Sequence, residues 1–321
     1  MSSSAPPGPG ARKSHGSPGR PFRWVRNLRR RRPRLEIRKG HTVHGEKILL
    51  AGPWIGEFGW ELFCWQGMLR REARRYDQVI VASRPEMEPL YRDFCGEFVA
   101  YRPGGEGISG YRCEDGSSGA DAVAVGREYT RHITGQSIIG YNQRRPYLSS
   151  RLFLDQTFVA YGRQDPGLAF DVLLHARSTK KNHSGDRNGW DAEGWARFAG
   201  RLRSKGLTVA CVGTSAAALA VEGCDDYRGI PLDQLFNLMR SSRVLAGPSS
   251  GPIHLAALCR LPHVVWSGAG FNRAKYEYYW NPFRVPVRYI AAPLWRPGMD
   301  EIERNTMELA DGSGVREVRC R

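Results

Sequence analysis

From residue 46 onward, short apolar runs alternate with stretches of helical periodicity. The apolar runs indicate buried strands, at residues 47–51, 78–83, 97–101, 120–125, 170–175, 207–213, 243–246 and 263–267. The stretches between them predict helices, at residues 60–76, 86–94, 192–205, 215–221, 231–241 and 251–260. Strands that alternate with helices are typical of βαβ units and a parallel sheet. We therefore expect an α/β protein of the doubly wound, Rossmann-like kind.

The helix predicted at residues 192–205 has a signal at each end. Asp191 stands where an N-cap residue accepts hydrogen bonds from the first turn, and Gly206 stands where helices commonly end. Residues 103–120 are rich in glycine and read as a loop, and residues 131–164 show no clear pattern. The sequence therefore indicates its elements best in the second half of the chain.

The chain has 321 residues, which is too long for one ordinary core and suits two domains. We predict a disordered tail at residues 1–40, an N-terminal Rossmann-like domain at residues 41–165 and a C-terminal Rossmann-like domain at residues 166–321. Hydrophobic residues make up 41% of the chain, which excludes a wholly disordered protein.

The formal net charge of +16 lies mostly in the tail. Residues 1–40 hold 12 lysines and arginines against the single acid Glu36, so the tail carries +11 and the rest of the chain +5. Residues 21–34 interleave arginines with apolar groups, which suits an anionic membrane surface if the segment becomes helical. Nucleic-acid binding or plain solubilisation explains the tail equally well, and an inert solvated tail has about even weight.

The cysteines and the N-terminus indicate a reducing compartment. The seven cysteines are scattered, with no CxxC pair and no histidine at ligand spacing, so we expect buried free thiols and neither disulfides nor a metal site. No apolar stretch of a secretory signal precedes the arginines, and no run reaches the ~18 apolar residues of a membrane span. The expected location is cytoplasmic, with a possible role for residues 12–39 at the inner face of the membrane.

The clearest motif is AGPSSGPIHLAAL at residues 246–258, which reads as a strand end, a turn of small residues and a helix start. Ser249, Ser250 and Gly251 place hydroxyl and backbone N–H groups at a helix N-terminus, where a phosphate is favoured. Gly251 allows a ligand to approach the backbone, Pro252 suits the first turn, and His254 follows within that turn. An ordinary capped βα loop is the competing interpretation.

This motif resembles the donor-binding signature of GT-B glycosyltransferases similar to the lipopolysaccharide heptosyltransferases. The positions that match are Ser249, Ser250, Gly251, Pro252, His254, Leu255 and Ala256. The resemblance extends over roughly residues 46–270. It implies two Rossmann-like domains that face a cleft, with the acceptor on the N-terminal side and a nucleotide-diphosphate sugar against the C-terminal domain. Those enzymes often carry Asp where this chain has Ser249.

A second element of the resemblance follows the strand at residues 170–175. Arg177 matches the first arginine of the family pattern, and Trp190 matches the tryptophan of its Lys-Arg-Trp element, although the loop between them is longer here. Arg177, Lys181 and Arg187 are expected to offset the charge of a diphosphate, together with Lys180. A solvated basic loop is the alternative.

A third element, GPWIGEFGW at residues 52–60, follows the first strand. Glu57 stands where the family carries the Asp proposed as the base on the acceptor hydroxyl, and a carboxylate in a cleft can accept that proton. Glu61 is a rival base. We expect Gly56 and Gly59 to let a substrate approach, Trp65 to lie in the core and Trp54 to line the acceptor cleft.

The resemblance implies a glycosyltransferase that moves a sugar from a nucleotide-diphosphate donor to a hydroxyl acceptor, metal-independent and inverting. No cofactor is expected beyond the donor co-substrate. The acidic pair at 225–226 reads as a surface turn, and the aromatic block at 276–280 is expected to border the donor site or the acceptor cleft, or to pack the domain edge. A nucleotide-sugar 2-epimerase of the same fold and a nucleic-acid-binding protein are the alternatives.

Overall fold

The computed structural model describes residues 47–52, 54, 58–100, 156–177, 189–268 and 273–312, together with the backbone of two strands at 37–38 and 137–139. The predicted strand at 120–125 and nearly all of the predicted tail lie outside these residues. Leu35–Arg321 form one unit that contains two β-sheets. The domain limits predicted from the sequence stay a prediction.

The first sheet has the strand order β1-β5-β2-β3-β4. Its strands are β1 (Ile37–Arg38), β2 (Ile48–Ala51), β3 (Gln78–Ser83), β4 (Glu97–Ala100) and β5 (Ser137–Ile139). β1 runs antiparallel to β5, and the other neighbours are parallel. β2 and β3 are buried almost throughout, as their continuous apolar sequences predict for parallel strands.

The second sheet has six parallel strands in the order β11-β10-β9-β6-β7-β8. They are β6 (Val172–Leu174), β7 (Val209–Gly213), β8 (Asp225–Arg228), β9 (Val244–Pro248), β10 (His263–Ser267) and β11 (Val287–Ala291). The chain leaves β6 toward β8 and returns to the other side of β6 as β9. The strand order therefore reverses between β6 and β9, which is where open α/β sheets bind ligands.

Five helices accompany the sheets among the described residues. Helix α1 has three consecutive parts, an α-helical turn at Phe58–Trp60, a π-helical segment at Glu61–Trp65 and an α-helix at Gln66–Ala73. The others are α2 (Ala192–Arg203), α3 (Leu232–Ser241), α4 (Gly251–Leu258) and α5 (Met299–Ala310). A second π-helical segment spans Lys275–Tyr279.

The second sheet is covered on both faces. Trp195 and Phe198 of α2 and Ile302 of α5 belong to one buried cluster, whereas Phe236 of α3 and Ile253 of α4 belong to another. Helices on both faces define a doubly wound sheet, and the predicted fold class is confirmed.

Each strand predicted from the sequence, apart from the one at 120–125, agrees with the structure to within about two residues at either end. The Asp191 cap is confirmed, since its Oδ1 accepts a hydrogen bond from the Gly194 N–H at 2.8 Å, and Gly206 has a φ of +82°. The helix predicted at 86–94 is wrong, because Pro89 leaves only a 3₁₀ segment at Pro85–Leu90.

Two further predictions are corrected. Residues 215–221 form turns instead of a short helix, and they include an isolated bridge from Ala218 to Arg177. The acidic pair Asp225-Asp226 opens the edge strand β8 and is not a simple turn. β11 and α5 were not expected at all. β8 escapes the sequence pattern because this edge strand, DDYR, is polar.

Two general features complete the description. Within the described residues, no helix is long and apolar enough to cross a membrane. The described cysteines are all free thiols, and three of them are buried, namely Cys64, Cys211 and Cys259.

Candidate functional site

The two motifs of the second half meet at the carboxyl ends of β6 and β9. β6 continues into His175, Ala176 and Arg177, and β9 continues into Ser249. One guanidinium nitrogen of Arg177 donates to the backbone oxygen of Ser249 at 3.3 Å. A cation is thus held at the point where the strand order reverses, beside the loop that begins helix α4.

The N-terminus of α4 carries no side-chain cap. Ser250 occupies the N-cap position, but its hydroxyl turns back and donates to the Pro248 oxygen at 2.8 Å. Pro252 in the first turn has no N–H to satisfy. The N–H groups of a first helical turn have no partner within the helix, and they favour an anion. Ser250, Gly251 and Pro252 therefore form an open N-terminus next to Arg177.

The ring of Tyr276 lies against this loop. Its hydroxyl donates to Ser249 Oγ at 2.6 Å, and its ring stacks on His254 with centroids 5.3 Å apart. Burial raises the pKa of Tyr276, so its phenol stays protonated. Tyr276 is thus a residue of the candidate site that the sequence indicated only as part of an aromatic block.

His254 lies in an aromatic environment and has little exposed surface. Its ring contacts Trp280 edge-on, with centroids 4.6 Å apart, in addition to the stack on Tyr276. Only 8% of the surface of His254 is exposed. The structure thus places His254 in the first turn of α4, as predicted, but directs its ring into packing. A direct contact with a ligand stays a prediction.

Helix α1 begins directly against α4. A methyl group added to Gly251 would lie 2.9 Å from Phe58 Cδ1, and one added to Gly59 would lie 2.7 Å from His254 Cδ2. Side chains of the protein itself therefore occupy the space beside these two glycines. The expectation that Gly59 lets a substrate approach is wrong. Glu57 itself lies outside the described residues, one position before Phe58.

Glu61 is a buried structural group. It is 0% exposed. One of its oxygens accepts from Ser83 at 2.5 Å and from Tyr91 at 2.7 Å, while the other accepts from Arg84 at 2.8 Å. Burial and the neighbouring Glu61 raise the pKa of Tyr91, which keeps this hydroxyl a donor. A carboxylate engaged on both oxygens has little capacity to take a proton from a substrate, so the structure argues against Glu61 as the base, and the role expected for Glu57 stays a prediction.

The two tryptophans of this region are both core residues. Trp54 is 1% exposed, and its ring lies 5.2 Å from that of Trp65. Trp65 is in the core as expected. The prediction that Trp54 lines an acceptor cleft is wrong, because its ring is buried against Trp65. Sequence reasoning could not separate the two, since both flank a helix start.

Only the ends of the basic loop are described. Lys181 and Arg187, like Lys180, lie outside the described residues. Trp190, which follows the loop, packs on Trp195 and Trp266 with centroids 5.1 Å and 5.5 Å apart. Its ring therefore anchors the end of the loop to the core of the second sheet.

Beneath the loop, His175 supports the ends of three strands. Its Nδ1 donates to the Val212 oxygen at 2.9 Å, so the neutral ring carries its proton on Nδ1. Burial and, to a lesser extent, the charge of Arg177 lower the pKa of His175 to about 4. His175 is thus neutral at ordinary pH and contributes structure instead of charge.

The described residues contain no group of three or more histidine, cysteine, aspartate or glutamate side chains placed to hold a metal ion. Asp226 pairs with Arg228 at 2.7 Å, and this contact lowers the pKa of Asp226. The positive charges near Ser249 suit an anionic ligand, and Arg177 with the N-terminus of α4 are the described groups that could hold it.

The solved structures that resemble the chain over most of its length include two glycosyltransferases. The ADP-heptose LPS heptosyltransferase II of E. coli superimposes with a TM-score of 0.54 at 14% identity, covering 84% of this chain and 100% of that chain. A glycosyl transferase family 9 protein of Veillonella parvula gives a TM-score of 0.53 at 10% identity, covering 86% and 99%. The fold of this chain is therefore that of the GT-B glycosyltransferases, as the sequence resemblance implied.

Other comparisons are weaker or negative. A putative UDP-N-acetylglucosamine 2-epimerase of Listeria monocytogenes has a TM-score of 0.44 at 10% identity, covering 84% of this chain and 89% of that chain; a likeness of this size carries no weight for function. No protein-family model and no curated protein sequence matches the chain. The fold is thus known, and the function has to be argued from the site.

Proposed function

We propose that this protein is a glycosyltransferase that transfers a sugar from a nucleotide-diphosphate donor to a hydroxyl acceptor. The observation that carries the proposal is the contact of Arg177 with Ser249 across the ends of β6 and β9. It brings a guanidinium to an uncapped helix N-terminus, and the two together suit a diphosphate. The GT-B fold supports this assignment without specifying the chemistry.

The diphosphate is the leaving group of the proposed reaction, and it departs with negative charge. Arg177 and the N-terminus of α4 at Ser249, Ser250 and Gly251 would stabilise that charge. Lys181 and Arg187 of the basic loop are proposed to add to it, and Pro252 and His254 to complete the donor site. In this proposal the chain's own cations serve the departing group, so that transfer is metal-independent.

Glu57 is the proposed base. Its carboxylate would take the proton of the acceptor hydroxyl while the hydroxyl oxygen bonds to the anomeric carbon and the bond to the diphosphate breaks. Attack from the side opposite the leaving group inverts the anomeric centre. Phe58, the next residue, packs on Gly251 at the start of α4, which supports a base at the donor site. Glu61 is unsuited, because Ser83, Arg84 and Tyr91 occupy its oxygens.

The test is the release of nucleoside diphosphate from a panel of nucleotide sugars offered with saccharide acceptors, followed by mass spectrometry. The wild type is expected to turn over at least one donor, and Glu57→Gln to lose about 10²-fold or more of that rate while it retains donor binding. Glu97→Gln, at an exposed residue of β4, is the control and keeps the wild-type rate. Unchanged turnover in Glu57→Gln would remove Glu57 from the mechanism.

The tail is proposed to contribute location instead of chemistry. Contact of residues 12–39 with an anionic membrane surface is part of the proposal, and the cytoplasmic location stays with it. Removal of residues 1–40 is expected to leave turnover of the same donor unchanged. Loss of all ligand binding on that deletion would favour a nucleic-acid-binding protein, in which the tail is the functional segment.

A further inference from the structure

Tyr276 is a buried tyrosine whose hydroxyl has one defined target. The residue is 2% exposed. Its ring is enclosed by stacking on His254 and Tyr289, with centroids 5.3 Å and 5.9 Å apart, and by an edge contact with His263 at 6.4 Å. A ring packed in this way cannot turn away from Ser249, so the 2.6 Å hydrogen bond from its hydroxyl is fixed by the core.

This hydrogen bond determines what the hydroxyl of Ser249 can do. A serine hydroxyl donates one hydrogen bond and accepts through its lone pairs. Because Tyr276 occupies Ser249 Oγ as an acceptor, the serine keeps its own O–H as a free donor. Among the described residues, no group accepts that proton. The O–H of Ser249 is thus available to an oxygen that enters the site from solvent.

The groups around Ser249 indicate which kind of ligand oxygen its O–H would bind. Ser249 is partly exposed, its backbone oxygen accepts from Arg177, and the uncapped first turn of α4 begins two residues later. A guanidinium, a helix N-terminus and a hydroxyl donor together recognise an anionic oxygen. A neutral ligand would gain much less from this combination.

We propose that Tyr276 is a positioning residue of the donor site, which orients the Ser249 hydroxyl to donate to a phosphate oxygen of the nucleoside diphosphate. The proposal deepens the proposed function and rests on it. Tyr276 does not touch the ligand. It acts through Ser249, and the elevated pKa of its phenol, caused by burial, keeps it a donor at every pH at which the enzyme would work.

The chain offers a matched control for this role. Tyr289 is also a buried tyrosine, and its hydroxyl lies 2.5 Å from Ser267 Oγ, in β11 behind Tyr276. Tyr289→Phe removes the same atom from the same kind of environment without touching Ser249. Tyr276→Phe and Tyr289→Phe therefore differ in the one contact that the proposal invokes.

The experiment measures the affinity of the full chain by calorimetry for ADP and UDP, and for adenosine and uridine, which lack phosphate. Tyr276→Phe and Ser249→Ala are each expected to weaken binding of the diphosphate that binds best by roughly 10- to 150-fold, the contribution of one hydrogen bond to a charged group. The affinity for the matching nucleoside should stay within about twofold, and Tyr289→Phe should bind like the wild type. The double variant Tyr276→Phe, Ser249→Ala should bind no more weakly than Ser249→Ala alone, because the two groups act as one.

Several outcomes would overturn the proposal. They are wild-type affinity in Tyr276→Phe, an equal loss for the nucleoside, and full additivity of the two substitutions. If Tyr276→Phe fails to fold, Ser249→Ala decides alone, since undiminished diphosphate affinity in that variant refutes the role of the hydroxyl. Failure of the wild type to bind any diphosphate would instead refute the proposed function, and with it this role.

Discussion

Two helices meet at the candidate site, and they begin in different ways. α4 starts with Gly251 and Pro252 behind a serine that does not cap it, so its first N–H groups remain open to a ligand. α1 starts with the turn Phe58–Trp60, and the π-helical segment that follows has all its side chains buried, including Glu61. One helix start can serve an anion, while the other is held by internal packing.

The difference distinguishes a cation at the edge of a sheet from a carboxylate in the core. Arg177 follows β6, and its guanidinium donates to the backbone oxygen of Ser249 in the loop before α4. Glu61, by contrast, is neutralised by Arg84 and bonded to two hydroxyls. A carboxylate near a predicted active site is therefore not by itself a catalytic candidate.

The largest expected effect comes from breaking the buried charge of α1. Glu61→Gln removes the buried carboxylate that pairs with Arg84, which costs about 3–5 kcal/mol of folding free energy. Urea denaturation measures this loss. Glu193→Gln is the control, because Glu193 pairs with Arg197 on the exposed surface of α2 and its removal costs about 0.5 kcal/mol or less. Equal stability of Glu61→Gln and the wild type would contradict the structural role of Glu61.

Acid should destabilise the second sheet, which holds one buried histidine just after β6 and another at the start of β10. Burial lowers the pKa values of His175 and His263 to about 4, whereas an unfolded histidine titrates near 6.5. The unfolded state therefore binds more protons below pH 6.5, and stability falls as the pH drops from there toward 4. By pH 5 the loss is about 2 kcal/mol for each histidine.

Denaturation curves at pH 7 and pH 5 measure this effect, and His263→Asn isolates one contribution. That variant is expected to lose less stability between the two pH values than the wild type, whatever its stability at pH 7. A wild type whose free energy of unfolding is the same at both pH values would show that these histidines are not buried as described.

A smaller effect tests the contact between the two helices. Gly251→Ala places a methyl group 2.9 Å from Phe58 Cδ1, and crowding of this kind costs about 1–3 kcal/mol. Adding Phe58→Ala should relieve the crowding, so the double variant loses less than the sum of the two singles. Thermal denaturation is the readout.

Gly200→Ala in α2 is the matched control for that substitution. An added methyl there meets no atom within 4 Å, so the change should stabilise the helix by about 0.5–1 kcal/mol. If Gly251→Ala behaves like Gly200→Ala, α1 and α4 do not pack as closely as the structure shows.

The sequence predicted one of these two helix starts and not the other, because the contacts involved differ in their separation along the chain. The open N-terminus of α4 could be predicted, because a strand end, small residues and a proline are adjacent in the chain. The structural role of Glu61 could not be predicted, since its partners Ser83 and Arg84 lie more than 20 residues away in the sequence. The same holds for Tyr276, which reaches Ser249 from 27 residues away.

For the fold as well, the elements that could be predicted were those with a local signal in the sequence. Buried parallel strands such as β3 and β10 can be predicted because they are continuous apolar runs in the sequence. The polar edge strand β8 gives no such signal, and π-helical segments have no sequence pattern that separates them from α-helix. Trp54 and Trp65 show the limit for side chains, because both are aromatic residues near a helix start and only packing reveals that both are buried.

The central claim is that the ends of β6 and β9 bind the diphosphate of a nucleotide. Calorimetric titration of the full chain with ADP and UDP, for the wild type and Arg177→Met, tests it most directly. The account predicts saturable binding of at least one diphosphate by the wild type and a loss of about tenfold or more in Arg177→Met. Absence of binding to either diphosphate, or equal affinity in Arg177→Met, would contradict it.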